Sequence, residues 1–87
     1  MLNFNENQYI INAVWQKGLI VPGLLPSIFR RDRYGTIIKY SDYGNRNSEY
    51  GWEIDHIIPK SRGGSDNLNN LQPLHWKNNC AKGDNLY

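Results

Sequence analysis

Asp55 and His56 stand side by side in the stretch Trp52-Glu53-Ile54-Asp55-His56-Ile57-Ile58-Pro59, and together they could act on a water molecule. An aspartate offers the hard anionic oxygen that Mg2+-like ions prefer. A histidine gains and loses its proton near neutral pH, so it can take one from water. A second set lies towards the C-terminus, where His75 and Asn79 are spaced i, i+4 and would share one face of a helix. Asn79 can give a carbonyl oxygen to a hard cation, and His75 can give a nitrogen. Each residue also has an ordinary reading, His56 as a hydrogen-bonded core histidine and Asn79 as a polar residue near a helix end. Spacing alone allows either His75 or Asn79 as a ligand.

The elements that must position these groups follow from hydrophobic period and chain punctuation. Trp52, Ile54 and Ile58 alternate with Glu53 and Asp55 over 50–58, a strand pattern that Pro59 ends. A regular strand points Asp55 and His56 to opposite faces. Both can serve one reacting group if the backbone leaves ideal strand geometry there, or if they reach it from opposite sides. Residues 60–67, with Gly63-Gly64 at their centre, read as a flexible loop. Leu68, Leu71 and Leu74 follow, and after Pro73 residues 74–82 read as a helix that Gly83 can cap. Upstream, Ile10, Ile11, Val14 and Trp15 give 7–17 the period of an amphipathic helix, with Gly18 as its stop. Pro22, Gly23 and Pro26 make 19–29 irregular, packed through Leu24, Leu25 and Phe29. Thr36, Ile37, Ile38 and Tyr40 suggest a short strand at 36–40. The order helix, irregular segment, strand, strand–loop–strand, helix is a small α+β fold.

Composition narrows the class. The 87 residues make one domain, and a chain of this size buries only roughly 60–65% of its unfolded surface. Three tryptophans and 13% aromatic residues can compensate, because each large ring buries about 150–250 Å². Ten basic and eight acidic residues leave a net charge of +2, which neither demands nor excludes a polyanionic partner. Arg30, Arg31 and Arg33 cluster, Lys60 and Arg62 flank the loop, and Lys77 and Lys82 lie near the C-terminus. Cys80 is the single cysteine, so there is no internal disulfide and no thiolate zinc cage. The first residues (Asn3, Asn5, Glu6, Asn7) are polar and lack a signal pattern. No run approaches the ~18 apolar residues of a membrane span. The expectation is a soluble, cytoplasmic protein without membrane contact.

The segment from Tyr50 to Gly83 closely resembles the HNH endonuclease family. It carries Asp-His at 55–56, Gly-Gly at 63–64, Asn-Leu at 70–71, and Asn79 ahead of Lys82-Gly83. The resemblance implies a ββα-metal core over 50–83: a hairpin crossed by a helix. The whole of 1–87 would form one such domain, and 1–33, which carry no nameable motif, would supply an N-terminal helix and an irregular packing segment. It implies His56 as general base, Asp55 as metal ligand, and Asn70 as the middle Asn that ties the loop and helps hold the base. Asn79 falls where the last His of the motif stands and would be the second protein ligand. The implied activity is hydrolysis of DNA phosphodiesters, leaving a 5′-phosphate and a 3′-hydroxyl. It would need one divalent ion, Mg2+ in the first place, with Mn2+ or Ni2+ as alternatives. Lys60, Arg62, Lys77 and Lys82 would contact backbone phosphates, giving affinity rather than sequence choice. A homodimer or a larger DNA-processing partner would be in keeping with the family.

Two departures qualify the match. Many family members hold a structural zinc with two Cys-x-x-Cys pairs, whereas here His75 and Asn78 occupy the second pair's positions and no first pair exists. Aromatic packing of Trp15, Trp52 and Trp76 must hold the core instead. Asn79 is a neutral carboxamide, so metal affinity would be modest until a phosphate joins the shell. Two other readings keep the same fold, a non-catalytic nucleic-acid-binding module and a nuclease toxin. The cysteine count generates a direct expectation: purified protein should carry no stoichiometric zinc and should fold without it. Elemental analysis combined with thermal unfolding in a chelator measures both, and one tightly held zinc per chain would contradict it.

Overall fold

Asn7 starts the first helix, because its side-chain oxygen accepts the Ile10 N–H at 2.9 Å and satisfies one of the donors a helix leaves unpaired at its N-terminus. The computed structural model describes residues 7–86; Asn3, Asn5 and Glu6 lie outside them. Helix α1 spans Gln8–Trp15 and buries Val14 and Trp15. Strands β1 (Phe29–Arg31) and β2 (Ile37–Lys39) form one antiparallel pair, with Arg30 opposite Ile38. Strands β3 (Trp52–His56) and β4 (Leu71–His75) form the second, with Trp52 opposite His75 and His56 opposite Leu71. Helix α2 (Trp76–Lys82) follows β4 directly. The architecture is α+β, a ββα unit with an N-terminal helix and a small hairpin added. Among the described residues no helix is long and apolar enough to cross a membrane.

The core sits where α1 covers the inner face of the second hairpin. Val14, Trp15, Ile38, Trp52, Ile54 and Leu71 form its buried cluster. Trp52 is its centre, with Trp15 at 5.1 Å and Tyr43 at 4.9 Å between ring centroids. Such pairs contribute about 0.5–1.5 kcal/mol beyond their buried area. The indole N–H groups are satisfied, Trp15 donating to the Pro26 carbonyl and Trp52 to that of Tyr40. Trp76 is outside this cluster. It is half-buried, stacked on His75, and donates its Nε1–H to the Ser48 carbonyl.

Several boundaries differ from expectation. Phe29 belongs to β1, a strand without a sequence signal of its own, since its pairing comes from the later β2 and, at Arg31, from Leu19. Leu24 and Leu25 are exposed, while Val21 is the buried residue of that segment. Leu74 and His75 belong to β4 rather than to the helix. Pro73 fits inside that strand because a two-stranded sheet leaves each strand one unpaired edge. Arg30, one of the clustered arginines, is buried. Its guanidinium donates to the carbonyls of Gln16, Gly18 and Pro26 and closes the end of α1.

Asp32, just past β1, joins the two halves. It is 1% exposed. Its Oδ1 accepts the backbone N–H groups of Tyr34 and Thr36, both at 3.0 Å. Its Oδ2 accepts from His75 N–H at 3.0 Å and from Asn78 Nδ2 at 2.8 Å. Asp32→Ala would leave several buried donors unpaired, at about 1–3 kcal/mol for each that water cannot reach. Urea unfolding should therefore show a loss of at least about 3 kcal/mol for this variant, and an unchanged midpoint would refute the role.

Candidate active site

The β3–β4 ladder is unbroken to His56↔Leu71, so consecutive side chains leave β3 on alternate sides. Trp52 and Ile54 go to the core, and Glu53 and Asp55 go to the side on which α2 lies. On α2, Asn79 and Lys82 are spaced i, i+3 and share a face. The two faces meet directly: Asn79 Nδ2 donates to Glu53 Oε1 at 2.8 Å, and Lys82 Nζ lies 3.2 Å from both carboxylate oxygens of Asp55. Asp55 is 6% exposed and Lys82 2%. Gln72, the cross-strand partner of Asp55, donates to its Oδ2 at 2.9 Å. Lys82 also donates to the His56 carbonyl at 2.9 Å.

Lys82 is thus not a phosphate contact. Its ammonium is enclosed between β3 and α2, with Asp55 as counter-ion, because it occupies the face of the helix turned to the strand. Lys60, Arg62 and Lys77 are exposed. Lys60 pairs with Asp66 at 3.0 Å, Arg62 donates to the Asp84 carbonyl, and Lys77 lies over the Trp76 ring.

Glu53 is gripped by Arg46 through two hydrogen bonds of 2.6 and 2.8 Å. That guanidinium, seconded by the Asn79 amide, holds the Glu53 carboxyl below the ordinary carboxylate range against the opposing effect of burial. Because Asn79 spends its NH2 on Glu53, its Oδ1 is the end able to meet a cation. Asp55 also keeps capacity, since an ionised carboxylate accepts about four hydrogen bonds and three contacts are made here. One carboxylate and one carboxamide oxygen are donors that suit Mg2+ with water completing its shell. Among the described residues no three His, Cys, Asp or Glu side chains converge on a cation position.

His56 leaves the end of β3 on the side opposite Asp55 and meets the loop, where its Nε2 is 2.8 Å from Asp66 Oδ1. The Asp66 carboxyl is held below its usual range by His56 first and Lys60 second. His75 is not a helix residue but the cap of α2. Its Nδ1 accepts the Lys77 N–H at 3.0 Å, and its Nε2 meets the Glu49 carbonyl at 2.7 Å. Both ring nitrogens are therefore committed to structure, with the proton on Nε2.

The loop itself is built on two glycines and Asn70. Gly63 has φ 90°, ψ 10° and closes a 3-10 turn over Lys60–Arg62, a conformation glycine adopts without strain. At Gly64 a β-carbon would overlap the Ile58 carbonyl oxygen. Asn70, 8% exposed, pairs with Ile58 as a strand would, accepting its N–H at 2.9 Å and donating to its carbonyl at 3.0 Å. A further bond runs from its Nδ2 to the Ser65 carbonyl at 2.8 Å. Asn70 thereby extends the pairing of the hairpin from His56 to Ile58, up to Pro59. Five residues of the site escaped sequence reading in these roles: Arg46, Glu53, Asp66, Gln72 and Lys82. Strand alternation does put Glu53 on the face of Asp55, but no spacing rule links Asp66 to His56 across a loop.

The family model for the HNH endonuclease matches residues 38–85, more than half of the chain, from β2 through α2. A "Probable mobile endonuclease C" of Enterobacteria phage T4 is 39% identical over 46 residues, which are 51% of this chain and 22% of that protein. The chain thus spans well under half the length of that relative. No solved structure matches it significantly.

The loop analysis sets a further expectation. Asn70→Ala would unpair both polar groups of the Ile58 backbone and the Ser65 carbonyl, at about 1 kcal/mol or more each where water is kept out. We expect a loss of about 2–3 kcal/mol in urea unfolding and faster hydrogen exchange at the Ile58 amide. Unchanged exchange there would show that the loop is held by other contacts.

Proposed function

The chain belongs to the HNH endonuclease family, and on that premise we propose that it cuts DNA by divalent-metal-dependent hydrolysis of phosphodiesters, with residues 50–83 as the catalytic core. The observation that carries this reading is the direct meeting of the Glu53/Asp55 face of β3 with the Asn79/Lys82 face of α2, beside the strand end where His56 turns to the loop. Asp55 and Asn79 would hold the ion. Mg2+ is the first choice for an oxygen donor set, and Mn2+ or Ni2+ are substitutes. When bound, the ion supplies Lewis-acid stabilisation of charge on the phosphate and leaving oxygen.

The chain's own groups do the rest. Neutral His56 takes the proton of the attacking water. Displacement in line requires water and leaving oxygen on opposite sides of the phosphorus, and His56 and Asp55 leave β3 on opposite sides. Glu53, fixed by Arg46, keeps the Asn79 carboxamide in one orientation. Lys60, Arg62 and Lys77 contact flanking phosphates. Lys60 has three N–H donors and its pair with Asp66 is solvent-exposed, so it can meet a phosphate while staying bonded to Asp66.

Plasmid nicking tests the reading with a small set of variants. Cleavage should need Mg2+, stop in excess EDTA, and vanish in Asp55→Ala. His56→Ala should bind DNA while turning over roughly 10²–10⁴-fold more slowly, the usual size of general-base catalysis. Asn79→Ala should raise the Mg2+ needed for half-maximal cutting, whereas His75→Ala should lower thermal stability and leave the Mg2+ requirement alone. Nicking that survives EDTA, or His56→Ala cutting at the wild-type rate, would sink the proposal.

A further inference from the structure

We propose that Asp66 is the positioning residue of His56, holding the imidazole in one orientation and one tautomer, and that Asn70 acts on the base through Asp66. The inference rests on the reading of His56 as general base. An imidazole at the end of a strand can turn about its χ angles and can carry its neutral proton on either nitrogen. A catalytic base must present its lone pair in one direction, so something has to settle both. Here the Nε2 of His56 faces Asp66 Oδ1 at 2.8 Å. A carboxylate only accepts, so the proton belongs on Nε2 and the lone pair of the neutral ring is on Nδ1. A proton taken from water then goes to Nδ1, while Nε2–H stays on the carboxylate.

Asp66 is itself held on both sides. Its Oδ2 accepts from Lys60 Nζ at 3.0 Å. The residues flanking it are both bonded to Asn70: the Ser65 carbonyl accepts Asn70 Nδ2 and the Asn67 carbonyl accepts Asn70 N–H, each at 2.8 Å. Ser65 Oγ additionally accepts the Asn67 N–H at 3.2 Å. Asn70 is buried and paired with Ile58, so Asp66 sits at the tip of a short brace anchored in the hairpin. The effect of Asn70 on the chemistry therefore passes along Asn70, Asp66 and His56.

Two measurements decide it. In metal-free protein, long-range 1H–15N correlation of the ring nitrogens should show His56 as a single Nε2–H tautomer where the ring is neutral. In Asp66→Ala the same spectrum should show both tautomers, and Asp66→Glu should restore the single form at least in part. In plasmid nicking with Mg2+, Asp66→Ala should lower kcat roughly 10–100-fold, the usual effect of removing a carboxylate that orients a histidine, with KM nearly unchanged. In a His56→Ala background, Asp66→Ala should cost nothing further, which a merely structural role would not produce. An identical tautomer pattern in wild type and Asp66→Ala, with equal kcat, overturns the proposal. Absence of any metal-dependent cutting by the wild type would overturn the functional reading instead, and the spectra would still decide whether Asp66 holds the ring.

Discussion

A carboxylate shut away from water at Asp32 sets the direction in which α2 leaves β4. The charge is affordable there only because four N–H groups point at it, two from its own turn and two from the His75–Asn78 junction. No Lys or Arg pairs with it among the described residues. Hydrogen bonds to an ionised acceptor are roughly twice as strong as neutral ones, so this carboxylate ties the first hairpin firmly to the second. His75 adds the cap, Trp76 adds the bond to Ser48, and the helix then has one course across β3. The placement of Asn79 and Lys82 against Glu53 and Asp55 follows from that course.

The price of the site is a polar layer inside a small protein. One face of β3 carries Trp52 and Ile54 into the aromatic core, and the other buries Asp55 against Lys82. Breaking a buried ion pair on one side typically costs 3–5 kcal/mol or so, yet replacing both partners by apolar groups is often neutral or stabilising. Stability alone therefore gives no reason for this layer. The proposed hydrolytic site would give one, because it needs an oxygen donor held rigidly beside the strand end. The two sides of one five-residue strand thus differ, with Trp52 and Ile54 in the aromatic core on one and the Glu53–Asp55 polar layer on the other.

The loop between β3 and β4 links these parts. Its backbone approaches so closely at Gly64 that a side chain would collide with Ile58. The Asn70 side chain takes the place of a facing strand for the Ile58 N–H and carbonyl just before Pro59. Rigid anchoring here matters because the loop residue Asp66 meets the His56 ring. An ordered loop is consequently part of the site's geometry and not only a connection.

Much of this was legible in the residues themselves. Alternation over 50–58 located β3, since a strand has a side-chain period of two, while the unbroken ladder to His56 decided that Asp55 and His56 leave it on opposite sides. The period of Ile10, Ile11, Val14 and Trp15 located α1, and Asp-His, Gly-Gly, Asn-Leu and Asn79 in order carried the family and the ββα core. Local rules and motif order reach that far because each concerns residues close in sequence or fixed in spacing. They failed where a partner came from a distant segment. β1 is a strand because β2 and Leu19 pair with it, and His75 left the helix because Asp32 and Glu49 claim it. Lys82 carries the residue type of a phosphate contact, but the crossing of α2 turned it inward onto Asp55. Asp66 reads as an ordinary loop acid until the loop folds back on His56. Charge, burial and hydrogen-bond partners are properties of neighbours in space, and only the tertiary structure decides which neighbours those are.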